Sequence, residues 1–139
     1  KGLSPGCDLT ALSAEIEKEI SQLNAEDAQV FLDDLKISEP AMTKLIRLSY
    51  QILGVHSFFT IGDHECRAWT LKKGANAHKA AGVIHTDMEK GFIRAEVVSY
   101  NDLMESGSLQ FCREKGVLKL EGKDYIVKDG DILYIRFNI

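Results

Sequence analysis

Apolar and polar positions change their period once along this chain, close to residue 55. Before that point they recur every three to four residues, the spacing of an amphipathic helix. Ile16, Ile20 and Leu23 form one stripe. Ser13 stands before it as an N-cap, and Glu15 and Glu17 sit where the helix dipole favours negative charge. Asn24 opens a second helix, with Glu26 and Asp27 just inside and Ala28, Phe31, Leu32 and Leu35 on one face. Pro40 suits the first turn of a third helix. Leu45, Ile46, Ser49, Ile52 and Leu53 continue it and Gly54 can end it. Residues 1–6 read as loop, because Pro5 and the two glycines break regular structure. Residues 9–12 read as the end of a strand.

After residue 55 the period falls to two. Residues 58–61 and 66–71 predict two strands joined by a hairpin turn at Gly62-Asp63-His64-Glu65. Gly74 to Asn76 lead into a short helix whose Ala80, Ala81 and Val83 or Ile84 face a sheet. A polar turn from His85 to Gly91 follows. Residues 93–98 are a third strand, with Ile93, Ala95 and Val97 on one face and Arg94 and Glu96 on the other. Residues 101–105 predict a helical turn, Ser106-Gly107-Ser108 an interruption, and 109–115 more helix. Three further strands are expected at 117–121, 125–127 and 132–139, with turns at Gly122-Lys123 and Lys128-Asp129-Gly130. The class is α+β. A helical segment, 1–55, precedes a β-grasp domain, 56–139, in which a small sheet curls over one helix.

Composition narrows the class without naming a function. The 139 residues suffice for one domain plus an appendage, and 45% hydrophobic with 27% charged content is ordinary for a globular protein. No apolar run approaches the ~20 residues of a membrane span, and no signal peptide is visible. Starting at Lys1 rather than methionine, the chain reads as a piece of a longer one. Three widely spaced cysteines, Cys7, Cys66 and Cys112, argue for a reducing compartment and against a disulfide framework. Cys66 and Cys112 suit small buried positions. The net charge of −4 lies wholly in residues 1–55, and residues 56–139 are balanced. A strongly basic nucleic-acid binder is not what these totals describe.

Catalytic and metal motifs are absent. A phosphate-binding loop needs G-x-x-x-x-G-K-[ST], whose amides hold phosphate while Lys neutralises it and the hydroxyl holds magnesium. The one Gly-Lys pair, Gly122-Lys123, is followed by Asp124 inside a strand-to-strand turn. Metal ligands are expected to be none: His64-x-Cys66 supplies two of the four that zinc wants, and Asp129 and Asp131 offer too few oxygens for calcium. His85 suits a backbone bond at the helix end. Catalytic residues are likewise expected to be none.

A nucleic-acid surface is the serious candidate. Arg67, Trp69, Lys72, Lys73, Lys79, Lys90 and Arg94 crowd the first half of the β-grasp part. Strand alternation puts Arg67 and Trp69 on one face, where an exposed indole beside a guanidinium can stack on an unpaired base. The plainer reading places Trp69 in the core and leaves the cations on a solvated face. Hairpin and helix-to-strand turn converging at one sheet end would gather the patch. A protein-binding sheet face or edge is the rival.

The run Ala80-Ala81-Gly82-Val83-Ile84-His85-Thr86-Asp87-Met88-Glu89-Lys90-Gly91-Phe92-Ile93-Arg94-Ala95-Glu96-Val97 resembles the C-terminal TGS domain of the Obg-like, YchF-type P-loop NTPases. Arg67-Ala68-Trp69-Thr70, Leu120-Glu121-Gly122-Lys123-Asp124-Tyr125 and Asp129-Gly130-Asp131 extend the likeness to about residues 13–139. The resemblance implies a ubiquitin-like β-grasp domain, preceded by the tail of a G domain and a connector. It implies a cytoplasmic parent that binds and hydrolyses ATP or GTP with magnesium through its missing part, with no cofactor in this chain, and that associates with ribosomes or RNA. Ser13 and Ala14 match the turn that lies against the nucleotide base in that family; on residues alone the plain helix cap is the better reading of Ser13. The implied partners are ribosome or RNA, the parent's own G domain and a possible protein partner, with no membrane.

Overall fold

The computed structural model describes residue 7 and residues 9–62 and 65–138. The 1–6 loop, the Asp63-His64 centre of the hairpin turn, the His64 half of the metal pair and the final Ile139 lie outside them. Two compact units divide between Leu53 and Gly54.

The first unit contains three helices, α1 (Ala14–Ile20), α2 (Ala25–Asp34) and α3 (Ala41–Leu53). The Ser13 hydroxyl accepts from the Ile16 amide at 3.4 Å and the Asn24 side chain from the Asp27 amide at 2.9 Å, so both predicted caps form. Glu17 on α1 reaches across to accept the first amide of α3, Ala41 N–H, at 2.9 Å. Pro40 stands one residue before α3, its carbonyl accepting from Lys44. Lys36 leaves α2 in the left-handed region at φ 55°, with the Ile37 amide returning to the Leu32 carbonyl, a Schellman-type stop. Residues 9–12 form no strand: Leu9 and Leu12 are exposed, and the apolar run has no core face to cover.

The second unit is a five-stranded mixed sheet with helices on both faces. In chain order it holds β1 (Val55–Ile61), β2 (Cys66–Lys72), α4 (Ala77–Ile84), α5 (Thr86–Lys90), β3 (Phe92–Ser99), α6 (Tyr100–Ser106), α7 (Leu109–Glu114), β4 (Lys119–Glu121) and β5 (Asp131–Phe137). The strands lie in the order β2-β1-β5-β3-β4, with β1 and β5 parallel and the other pairs antiparallel. One face buries Phe58, Leu71, Ala95, Val97, Leu133 and Ile135 against α4. Ala77, Ala80 and Ala81 of α4 are completely buried there, and small side chains let the helix approach the sheet closely. Ile84 completes the i, i+3, i+4, i+7 stripe, while Val83 is 42% exposed, which settles the choice between them. The opposite face buries Val98 and Ile132 against Leu103 of α6 and Cys112 of α7.

Four local expectations are corrected. The polar turn from 85 to 91 is a helix, α5, capped by His85, whose Nδ1 accepts the Asp87 amide at 3.2 Å. Residues 125–127 alternate in burial yet stay outside the sheet. They bond the entry of α4 instead, the Ala77 amide donating to Tyr125 and the Val127 amide to Ala75. A bulge between Phe92 and Arg94 turns Ile93 outward, 57% exposed, and Phe92 packs on the core in its place. Cys66 is exposed at the start of edge strand β2, while Cys112 is buried.

Candidate functional site

The basic residues picked from sequence stand on one sheet but not in one patch. Arg67 is the second residue of β2, beside the hairpin turn, and Lys72 ends the strand opposite Val55. Five residues of extended chain separate them, roughly 17 Å. Lys73 follows at the same end, its amide donating to the Gly54 carbonyl. Arg94 pairs with Arg136 near the end of β5, and β5 runs parallel to β1, so Arg94 lies at the hairpin end. Lys90, at the C-terminal end of α5, precedes β3 there. Arg67, Lys90 and Arg94 therefore share one end of the sheet, and Lys72 and Lys73 occupy the other. Lys79 is committed elsewhere: its Nζ lies 2.8 Å from Glu89 and holds that carboxyl below the usual carboxylate range.

Trp69 combines the two sequence readings. The indole packs on the α4-side core, its Nε1 donates to Thr60 Oγ1 at 2.9 Å, and the Arg67 guanidinium lies over the ring, 4.3 Å from its centroid. A base could stack there only by displacing that guanidinium.

Ser13 lines a cleft of about 480 Å³ inside the first unit, walled by Glu17, Lys36, Ser38, Glu39 and Lys44. Ala14 is the first residue of α1 and is exposed.

The sheet face that carries α6 and α7 holds a second feature, which sequence reading missed. An open groove of about 260 Å³ runs beside α7. Its floor is aliphatic: Ile61 from β1, Val98 from β3, Ile132 from β5, and Leu109 and Leu118 from α7 and the segment after it. Its rim is charged. Glu96 accepts from Arg113 at 3.2 Å through one oxygen and from Arg136 through the other. Tyr134 stands directly across from Glu96 and is 61% exposed. Period two in Arg94-x-Glu96 and Tyr134-x-Arg136 was visible, but only the pairing of β3 with β5 makes these residues neighbours. Arg113 joins them from a helix.

Among the described residues no three His, Cys, Asp or Glu side chains come together as metal ligands, and no helix is long and apolar enough to cross a membrane.

The family YchF-GTPase_C, described as "Protein of unknown function (DUF933)", matches residues 55–138. The chain is 47% identical over 132 residues to "Ribosome-binding ATPase YchF" of Bacillus subtilis (strain 168), covering 95% of this chain and 36% of that protein. It is 42% identical over 134 residues to "Obg-like ATPase 1" of Gallus gallus, covering 96% and 34%. Among solved structures, the Schizosaccharomyces pombe YchF GTPase is similar at TM-score 0.79 and 35% identity, over 96% of this chain and 35% of that one. The chain thus spans about a third of the length of the curated relatives it matches.

Proposed function

The chain belongs to the YchF-GTPase_C family, and from that premise we propose that it is the non-catalytic C-terminal module of a YchF-type P-loop NTPase that associates with ribosomes. The observation that carries this reading is the alignment of nearly the whole chain with one third of proteins named ribosome-binding ATPases. In this reading residues 56–139 are a TGS domain of β-grasp type; a mixed sheet with α4 laid across one face supports it. Residues 1–55 are the tail of the G domain and its connector. The cytoplasmic parent binds and hydrolyses ATP or GTP with magnesium through the rest of its G domain. Ser13 and Ala14 complete its base pocket, which the cleft beside Ser13 supports.

Ribosomal RNA is met by exposed cations. Lys72 and Lys73 are the strongest pair, because they are adjacent and exposed and neither forms an ion pair among the described residues. Arg67 is engaged with Trp69, and Lys90 and Arg94 lie at the far end of the sheet. Phosphate contacts release counterions, so association must weaken steeply with salt. The test is ribosome pelleting across a salt series, with Lys72→Ala/Lys73→Ala beside the unaltered chain. The double variant should bind more weakly at every salt concentration, with a salt slope lower by about two. Unchanged affinity and slope in a folded variant would reject this pair.

A further inference from the structure

We propose that the groove beside α7 docks an acidic protein segment that carries a large aliphatic or aromatic side chain. This goes beyond ribosome association and uses a different surface. Two properties of the groove select that occupant. Its floor is aliphatic, with Leu109 exposed and Ile61 and Leu118 half-buried over the buried Val98 and Ile132. Its rim is overcharged. Arg113 and Arg136 share the single carboxylate of Glu96, and Arg94 stands beside Arg136 across the β3–β5 pair. Two guanidiniums thus share one carboxylate, and a third arginine occupies the neighbouring position of the pair. Arg113 and Arg136 each keep further N–H donors beyond the bond to Glu96, and their side chains are more than half exposed.

An RNA strand fits less well. Nucleotide bases are held on aromatic platforms, and this floor offers aliphatic side chains with one tyrosine at the lip. A peptide uses both halves at once: its carboxylate takes Arg113 and Arg136, and its apolar side chain enters the floor. Tyr134 at the lip matches the enrichment of Tyr and Arg at energetically dominant interface positions.

The experiment pans a random peptide display library against the full 139-residue chain. A selected peptide is then synthesised with a fluorescent label and its affinity read by polarisation. Enrichment of Asp or Glu within a few residues of Leu, Ile, Phe or Trp is expected. Arg113→Glu/Arg136→Glu should weaken the selected peptide at least ten-fold, and Leu109→Ser several-fold. Glu96→Gln should tighten it, since the competing carboxylate is gone. Opposite signs at contacting residues cannot arise from a folding defect. The proposal is overturned if enriched peptides lack acidic residues, if charge reversal leaves affinity unchanged, or if Glu96→Gln weakens binding as much as the arginine changes. It is equally overturned if a uridine decamer binds, loses affinity on the same arginine reversal and displaces the peptide, which would make the groove an RNA site.

Discussion

The amide of Asn138 donates to the carbonyl of Gly91 at 2.9 Å, and a Cβ built on Gly91 would lie 2.1 Å from the Asn138 carbonyl oxygen. The glycine is required by closeness, not by dihedral angle, because its φ of −89° suits any residue. Gly91→Ala should therefore push the exit of β5 from the entry of β3 and cost roughly 1–3 kcal/mol. Gly122→Ala is the matched control: no atom lies within 4 Å of its Cβ position. Urea midpoints of the two variants should differ clearly, and equal midpoints would show that the contact relaxes freely.

Ala81 is completely buried between α4 and the sheet. Ala81→Phe should overpack that interface and lower stability by roughly 1–3 kcal/mol. A substitution at Val83, on the same helix but 42% exposed, should be near neutral. Thermal denaturation of both variants checks the pair.

Tyr125 Oη donates to Asp131 Oδ2 at 2.8 Å, and the Lys128 amide donates to the same oxygen at 2.8 Å. Burial, and then this bond to Asp131, pushes the phenol well above its ordinary value of 10.0. The unfolded chain ionises Tyr125 first. Stability from this group is thus fully present below about pH 10 and is lost as pH rises through the unfolded and towards the folded value. Tyr125→Phe should cost roughly 1–2 kcal/mol at neutral pH and flatten the alkaline limb of the stability curve. An alkaline limb identical in both proteins would mean that Tyr125 ionises alike folded and unfolded.

The one Gly-Lys pair precedes Asp124 in a turn between β4 and the segment that bonds α4. A turn of this kind offers no row of amides to a phosphate chain. The chain by itself should therefore show no ATP or GTP turnover, and calorimetry should give no micromolar affinity for either nucleotide with magnesium. Measurable tight binding would place a phosphate site among residues without the usual motif.

Much of the fold was written locally. Ser13 and Asn24 announced their helices because a cap is a bond over three residues, and Ala77, Ala80, Ala81 and Ile84 announced the buried face of α4 by spacing alone. What escaped was non-local. Alternating burial at 125–127 looks the same whether the segment joins a ladder or bonds a helix entry. The bulge at Ile93 shows only in the register of β3 against β5. The basic candidates were legible as residues, and strand length alone sets Arg67 and Lys72 at opposite ends of β2, but the placing of Arg94 at the Arg67 end came only from the pairing of β1, β5 and β3. The groove rim was illegible for the same reason, since Glu96, Arg113 and Arg136 meet only through the β3–β5 register and the return of α7.

The central place of β5 has a consequence for synthesis. It lies between β1 and β3, and its pairing of Ile132 with Phe59 joins positions more than seventy residues apart. On a ribosome, residues 55–121 emerge before β5 and can form only a β1–β2 hairpin and a separate β3–β4 pair. The apolar edges of both pieces wait in water until the last strand leaves the exit tunnel and closes the gap. Long-range pairing of this kind is slow and exposes strand edges to other chains. Nascent chains stalled before Asp131 should therefore be the aggregation-prone form of this protein, and chains stalled well beyond Phe137 the folded one.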